Sequence, residues 1–346
     1  MPEVLINARA AARRQLSGVE RWAVELAERL PQLRPGAYAV ARPPRALAYQ
    51  AGQAWEQAAL PALARRLGAD LILNPANLAP LAFAGNAVVV HDAVALTHPE
   101  WFSPAYVAWH RRVLPAVVRR ARVVVTVSAF SRDEIAATTG VPAARIAVVP
   151  GGVDPRFSPE ADPEPARRAL GLRRPYVVTV AGEGARKNLA VLGATARALA
   201  ARGIDVVAAG SRRAHHGPST DVAGVRHLGY VDDALLPGLY AGARAFVLPS
   251  LHEGFGLPCL EAMASGVPVV ASDAGALPET CGDAALLVEA RRPDLVAEAV
   301  VAACEPATAA RLREAGLARA GRFSWHRTAE QVDALLRTVA TRPPAT

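Results

Sequence analysis

Leu248-Pro-Ser-Leu-His-Glu-Gly-Phe-Gly-Leu-Pro-Cys-Leu-Glu-Ala-Met-Ala-Ser-Gly-Val-Pro-Val-Val-Ala-Ser272 holds the densest structural signal in the chain. An apolar strand ends at Pro249, a loop with two glycines follows, and Pro258 suits the first turn of a helix. A second apolar strand, Val267–Ala271, completes a strand–loop–helix–strand unit. Such a unit belongs to a parallel sheet covered by helices, so the fold class is α/β. Within it, Glu253 lies in the loop and Glu261 is expected in the first helical turn. Free N–H groups at a helix start favour an anion, and Gly254 and Gly256 let a ligand approach the backbone. Carboxylates beside an anion site accept hydrogen bonds from the hydroxyls of a sugar or ribose. A structural reading competes: Ser250-x-x-Glu253 matches a capping box, and Glu261 complements a helix dipole. The capping box fails because Gly254, Gly256 and Pro258 would fall inside the helix it caps.

The same alternation runs outward in both directions. Before residue 150 the expected strands are Val4–Asn7, Tyr38–Ala41, Asp70–Asn74, Ala87–His91, Arg122–Ser128 and Ile146–Val149. The expected helices there are Gly18–Leu30, Ala54–Leu67, Pro104–Arg120 and Ser131–Thr138. Val149-Pro-Gly-Gly-Val-Asp-Pro155, with Pro159, Pro163 and Pro165 behind it, reads as a linker. A second series begins at Tyr176–Ala181 and continues through Asp205–Ala209, Val225–Leu228, Ala245–Pro249, Val267–Ala271 and Ala285–Val288. A closing helix follows Ser324. The expected organisation is residues 1–151 as a first doubly wound domain, 152–324 as a second, and 325–346 as a helix returning to the first. Two such domains would face a central cleft.

The 346 residues are 52% hydrophobic and 20% charged, which excludes global disorder. Net charge is +8, and residues 1–150 hold most of it, with 17 arginines against 10 acids (+7). That excess favours anionic partners without choosing among them. Cys259, Cys281 and Cys304 form neither a CxxC pair nor a disulfide framework, and with no signal-peptide pattern they fit a cytoplasmic protein. Trp101, Phe102, Tyr106 and Trp109 precede Arg111, Arg112, Arg119, Arg120 and Arg122. Such a helix either rests on an anionic membrane surface or packs its aromatics on the sheet behind a solvated basic face. No nucleic-acid motif, Walker A motif, HExxH or GxSxG occurs, and no Asp-x-Asp offers a metal to a sugar nucleotide.

Three further segments carry candidate chemistry. Tyr176-Val-Val-Thr-Val-Ala-Gly-Glu-Gly-Ala-Arg-Lys-Asn188 is a strand running into a glycine turn with two cations. Lys187 is the only lysine among 39 basic residues, and a compact ammonium after such a turn suits a phosphate. The alternative is a solvated pair at a helix start. A dinucleotide fingerprint fits poorly, because the third small residue is missing and Asp205 falls at the wrong end of the next strand. His91 lies where a strand meets a loop, as a ligand-side residue or a satisfied core histidine. Gly18 opens the first helix, either to a phosphate or as a plain helix start.

These residues together resemble glycosyltransferase family 4, retaining nucleotide-sugar transferases of GT-B fold. The resemblance rests on Ser17-Gly-Val-Glu-Arg21, His91-Asp92, Val127-Ser-Ala-Phe-Ser131, Val149-Pro-Gly-Gly-Val-Asp154, Arg186-Lys-Asn-Leu189, Leu228-Gly-Tyr-Val-Asp232 and Glu253-Gly-Phe-Gly-Leu-Pro-x-x-Glu261. It implies a hexosyltransferase acting on a nucleotide diphosphate sugar, GDP- or UDP-linked, without metal or cofactor. The implied acceptor is a hydroxyl of a glycan, a lipid-linked glycan or a small molecule. Mannosyl-type transfer in polysaccharide biosynthesis, on the inner face of a membrane, is the analogy it brings. By the same resemblance Arg186 and Lys187 look like the diphosphate pair, Glu253 like the residue facing the donor sugar, and Glu261 like the ribose ligand. Phe255, Gly256 and Leu257 would present backbone amides, Val231 and its neighbours would meet the base, and His91 would stand near the anomeric carbon. An epimerase or phosphorylase of the same fold, or a non-catalytic sugar-nucleotide binder, remains as an alternative.

Overall fold

The computed structural model describes residues 1–13, 15–44, 52–182, 184–210 and 221–340. Their contacts divide the chain into two compact units. The first comprises residues 1–97, 105–152 and 325–346, and the second residues 98–104 and 153–324. His98–Pro104 therefore belongs with the second unit, although it lies inside the expected first domain.

The first unit carries β1 (Val4–Asn7), β2 (Tyr38–Ala41), β3 (Leu71–Asn74), β4 (Asn86–Val89), β5 (Val123–Thr126) and β6 (Ile146–Val148). They form one sheet in the order β2-β1-β3-β4-β5-β6, and every pair is parallel. The runs Val88-Val89-Val90 and Val123-Val124-Val125 are buried, as strands covered on both faces must be. The helix Trp325–Ala340 packs on this unit. Trp325 meets Trp22 edge to face at 5.5 Å, Thr328 Oγ1 donates to Pro150 O at 2.8 Å, and the Asp333 carboxylate accepts from Tyr38 and Arg34.

The second unit carries β7 (Tyr176–Val180), β8 (Asp205–Ala209), β9 (Val225–Gly229), β10 (Ala245–Leu248), β11 (Val269–Ser272) and β12 (Ala285–Val288). Their order is β12-β11-β10-β7-β8-β9, again wholly parallel. Its core is anchored by Tyr176, Tyr240 and Phe246, all fully buried. β11 begins two residues later than Val267. Pro268 has no N–H to give the sheet, and the Val267 N–H is spent on Ala262 O, closing the preceding helix.

Each sheet reverses its strand order once. In the first unit the reversal falls between β1 and β3, and in the second between β7 and β10. In open α/β sheets ligands bind outside the carboxyl ends of the strands at such a switch point. No helix among the described residues is long and apolar enough to cross a membrane. The helix Pro104–Arg120 exposes Trp109, Arg111, Arg112, Arg119 and Arg120 and buries Val107, Val113, Leu114, Val117 and Val118.

Candidate functional site

The β7/β10 switch point gathers two cations on one buried carboxylate. β7 ends at Val180, and a 3₁₀ turn, Ala185–Lys187, carries Arg186 and Lys187. The two cations therefore precede the helix Leu192–Ala200 by a full turn and do not sit at its unfavourable positive end. Asn188 holds the turn in place. It takes a left-handed conformation (φ 53°), and its Nδ2 donates to Pro249 O at 3.1 Å and Ala290 O at 2.7 Å.

After β10 the chain passes through Ser250–Phe255 before the helix Leu257–Ala264. Glu253 is nearly enclosed there, at 7% exposure. Lys187 Nζ stands 2.5 Å from its Oε1 and Arg186 Nη1 3.3 Å from its Oε2. Arg186 Nη1 also donates to His252 O at 3.0 Å. Burial alone would raise the Glu253 carboxyl, but Lys187 and Arg186 outweigh it and bring the group down to about 2. The carboxylate is thus charged at every physiological pH. Two glycines shape the loop. A Cβ on Gly275 (φ 63°) would lie 2.5 Å from Glu253 O, and one on Gly256 (φ 95°) would lie 2.5 Å from Leu277 Cδ2.

Glu261 is the fifth residue of its helix, not a member of the first turn, so dipole complementation does not explain it. It is buried, and its Oε2 accepts from Tyr240 Oη at 3.0 Å. Phe255 is half-buried and meets Phe323 at 5.9 Å, while Gly256 and Leu257 are buried at the helix start. Val231 is 4% exposed and packs its side chain into the hydrophobic core, so the side chain itself is not free to meet a base. His98 and Trp101 also stand near this loop. Their rings stack at 4.2 Å, and His98 meets the ring of His252 at 5.8 Å.

The remaining candidates lie in the first unit. His91 follows β4 and is buried; its N–H donates to Asn77 Oδ1 at 2.8 Å and its Nε2 stands 2.8 Å from Pro75 O. That carbonyl fixes the proton on Nε2, and burial keeps the ring's pKa below its ordinary value. His91 O already accepts from Ser131 Oγ at 3.0 Å. Gly18 is the first residue of the helix Gly18–Leu33 and is exposed, with open space where a Cβ would stand.

The structure thus brings Arg186, Lys187 and Glu253 into direct contact and sets Glu261 nearby in sequence but on its own partner, Tyr240. Tyr240 and Asn188 were not singled out from the sequence. Tyr240 reads there as one more apolar-helix residue, and Asn188 showed only as the end of a motif.

Comparisons with known proteins identify the family and the fold. Residues 16–157 match the family model described as Glycosyltransferase Family 4, and residues 174–305 match that described as Glycosyl transferases group 1. The chain is 33% identical to the O-antigen chain mannosyltransferase B of Escherichia coli over 259 residues, 70% of this chain and 67% of that protein. It spans about half the length of several other curated relatives it matches. Its fold is like that of sucrose-phosphate synthase from Thermosynechococcus elongatus, with TM-score 0.75 and 22% identity over 98% of this chain and 99% of that one. It is also like that of Anabaena Alr3699/HepE, solved in complex with UDP-glucose, with TM-score 0.71 and 20% identity over 97% and 99%.

Proposed function

The chain belongs to glycosyltransferase family 4, and from that membership we propose that it moves a hexose from a nucleotide diphosphate sugar to an acceptor hydroxyl with retention of configuration. The observation that carries this reading is the convergence of Lys187 and Arg186 on Glu253 at the β7/β10 switch point. Two cations after a strand-to-turn junction match a diphosphate, and a carboxylate between them matches the hydroxyls of the attached sugar. Glu261, braced by Tyr240, suits the ribose. Backbone amides at Phe255, Gly256 and Leu257 suit the sugar or phosphate, and the backbone at Val231 the base.

In the proposed reaction the bond from the anomeric carbon to the diphosphate oxygen breaks as the acceptor oxygen bonds to the same face of that carbon. The acceptor proton passes to the departing phosphate. Lys187 and Arg186 stabilise the charge that collects on the leaving group, which is where fixed cations lower a barrier most. His91, neutral and fixed by Pro75, would orient rather than donate a proton. No metal is required for this charge balance. The likeness to the E. coli mannosyltransferase supports mannose as the sugar, and the UDP-glucose complex of the Anabaena neighbour supports a uridine diphosphate donor, with a guanosine diphosphate donor as the other candidate. A glycan or lipid-linked acceptor at an anionic membrane surface agrees with the exposed Trp109, Arg111 and Arg112.

The test is thermal stabilisation by a panel of nucleoside diphosphates and their sugars with EDTA present. A ligand at about 100 times its dissociation constant adds roughly 2.7 kcal/mol. Stabilisation by one nucleotide family names the base and supports a metal-independent donor site. A flat response across the panel overturns the donor assignment.

A further inference from the structure

The switch point of the first unit, between β1 and β3, holds a second charged cluster, built from residues outside the donor-site candidates. Asn7 is the last residue of β1 and Asn74 the last of β3. Arg9 follows β1, and Glu56 reaches the cluster from a π-helical turn, Trp55–Ala59, a conformation that recurs at functional sites. All four are buried: Asn7 3%, Arg9 9%, Glu56 4% and Asn74 0% exposed.

The amides are spent inside the cluster. Asn7 Nδ2 donates to Glu56 Oε1 at 2.8 Å and to Asn74 Oδ1 at 3.1 Å. Arg9 N donates to Asn7 Oδ1 at 3.2 Å, and Asn74 Nδ2 donates to Asn86 Oδ1 at 3.1 Å. Arg9 Nε stands 2.8 Å from Glu56 Oε1. Asn7 Nδ2 and Arg9 Nε thus meet on that one carboxylate oxygen. Among the described residues, nothing donates to Glu56 Oε2, and neither terminal nitrogen of Arg9 donates to anything.

A buried ion pair is expensive, and here Arg9 Nε is fully enclosed beside Glu56 without a well-aligned hydrogen bond, while the Arg9 terminal nitrogens and Glu56 Oε2 are left open. Packing alone would be served better by two apolar side chains. The idle atoms are complementary to a sugar: a hydroxyl gives its proton to Glu56 Oε2, and its neighbour's oxygen receives from the Arg9 fork. The pair is charge-balanced, so it favours a neutral ligand over a phosphate.

We propose that Arg9 and Glu56 bind a vicinal pair of hydroxyls on a neutral sugar, the acceptor, at the β1/β3 switch point. This rests on the reading of the chain as a sugar transferase. The test is saturation-transfer NMR on the full chain with methyl α-D-mannopyranoside, and separately with mannose 6-phosphate. The wild type should transfer saturation to the neutral glycoside. The charge-balanced double variant Arg9→Met, Glu56→Leu should bind it about tenfold or more weakly, the loss expected for hydrogen bonds to charged groups. Thermal stabilisation by UDP or GDP should be the same in both proteins. If the double variant does not melt cooperatively, Arg9→Lys, which keeps the charge and loses the fork, should show the same weakening. Equal glycoside binding in wild type and variant, no binding by the wild type, or preference for the phosphorylated sugar overturns the proposal. A wild type that answers to the glycoside but to no nucleotide overturns the donor reading and leaves this one standing.

Discussion

The two switch points use similar side chains in opposite ways. In the second unit two cations share one carboxylate, so Arg186, Lys187 and Glu253 leave a net positive charge. In the first unit one cation meets one carboxylate, and the Arg9–Glu56 pair is balanced. A net positive pocket whose cations are already ordered is prepared for a multiply charged anion, because little is spent on organising it when the ligand arrives. A balanced pocket with idle hydrogen-bonding atoms is prepared for a polyol. On the two proposals, the same sheet topology yields an ion site and a neutral site by a difference of one charge.

The largest test of this contrast is Lys187→Ala. On the proposed reading it removes a preorganised cation from the leaving group, and transfer should fall on the order of 10²–10³ in steady-state assays. Turnover near wild type would remove Lys187 from the site.

Glu253→Gln comes next and separates ordering from chemistry. Transfer should fall by on the order of 10², since the carboxylate that matches the sugar and holds both cations is gone. Binding of the bare nucleoside diphosphate should not weaken, because the cations lose a competitor. A pH series adds an independent reading. The folded carboxyl sits at about 2 against an ordinary 4.5, so its contribution to stability is present above about 4.5 and lost as pH falls toward 2. The wild-type melting temperature should drop across that window, and the Gln variant should lack this component. Parallel acid curves for the two proteins would show that the ion pairs contribute nothing to folding.

How visible each switch point was in the sequence follows from how it is built. Strand alternation exposed both sheets, because a strand buried on both faces must be apolar throughout. Arg186–Lys187 and Glu253 stood out because each lies in a short glycine-bearing segment right after a strand. In the Arg9–Glu56 cluster only Asn74 carries a sequence signal, because Asn74-Pro-Ala-Asn77 ends a strand where an acceptor could be lined; Arg9 and Glu56 carry none. The cluster's members are 49 and 67 residues apart along the chain, and parallel pairing brings them together only after two crossovers. Pro258 does lie in the first turn, but Glu261 falls just past it, as the fifth residue of a helix that starts at Leu257. Its partner Tyr240 comes from another helix, 21 residues away.

Tyr240→Phe is the smaller sharpening of the donor side. It deletes the Tyr240–Glu261 hydrogen bond, worth about 0.5–1.5 kcal/mol, so donor affinity should fall by up to about tenfold with transfer rate at saturation little changed. A loss of stability equal in the presence and absence of nucleotide would make Tyr240 a packing residue only.

The smallest effect expected comes from the glycines that open two helices. Gly256 must remain glycine for backbone reasons, since its φ is 95° and an added Cβ would strike Leu277. Gly256→Ala therefore lowers stability whether or not a ligand binds there, and cannot report on function. Gly18 has no such constraint. Its φ is not positive, and a Cβ there would meet nothing within 4 Å. Gly18→Ala should therefore stabilise the free protein by roughly 0.4–1 kcal/mol, through the loss of freedom in the unfolded chain. If the helix start is only a helix start, transfer should be unchanged. If a ligand approaches its backbone, transfer should fall while the melting temperature rises, a combination that loss of folding cannot produce.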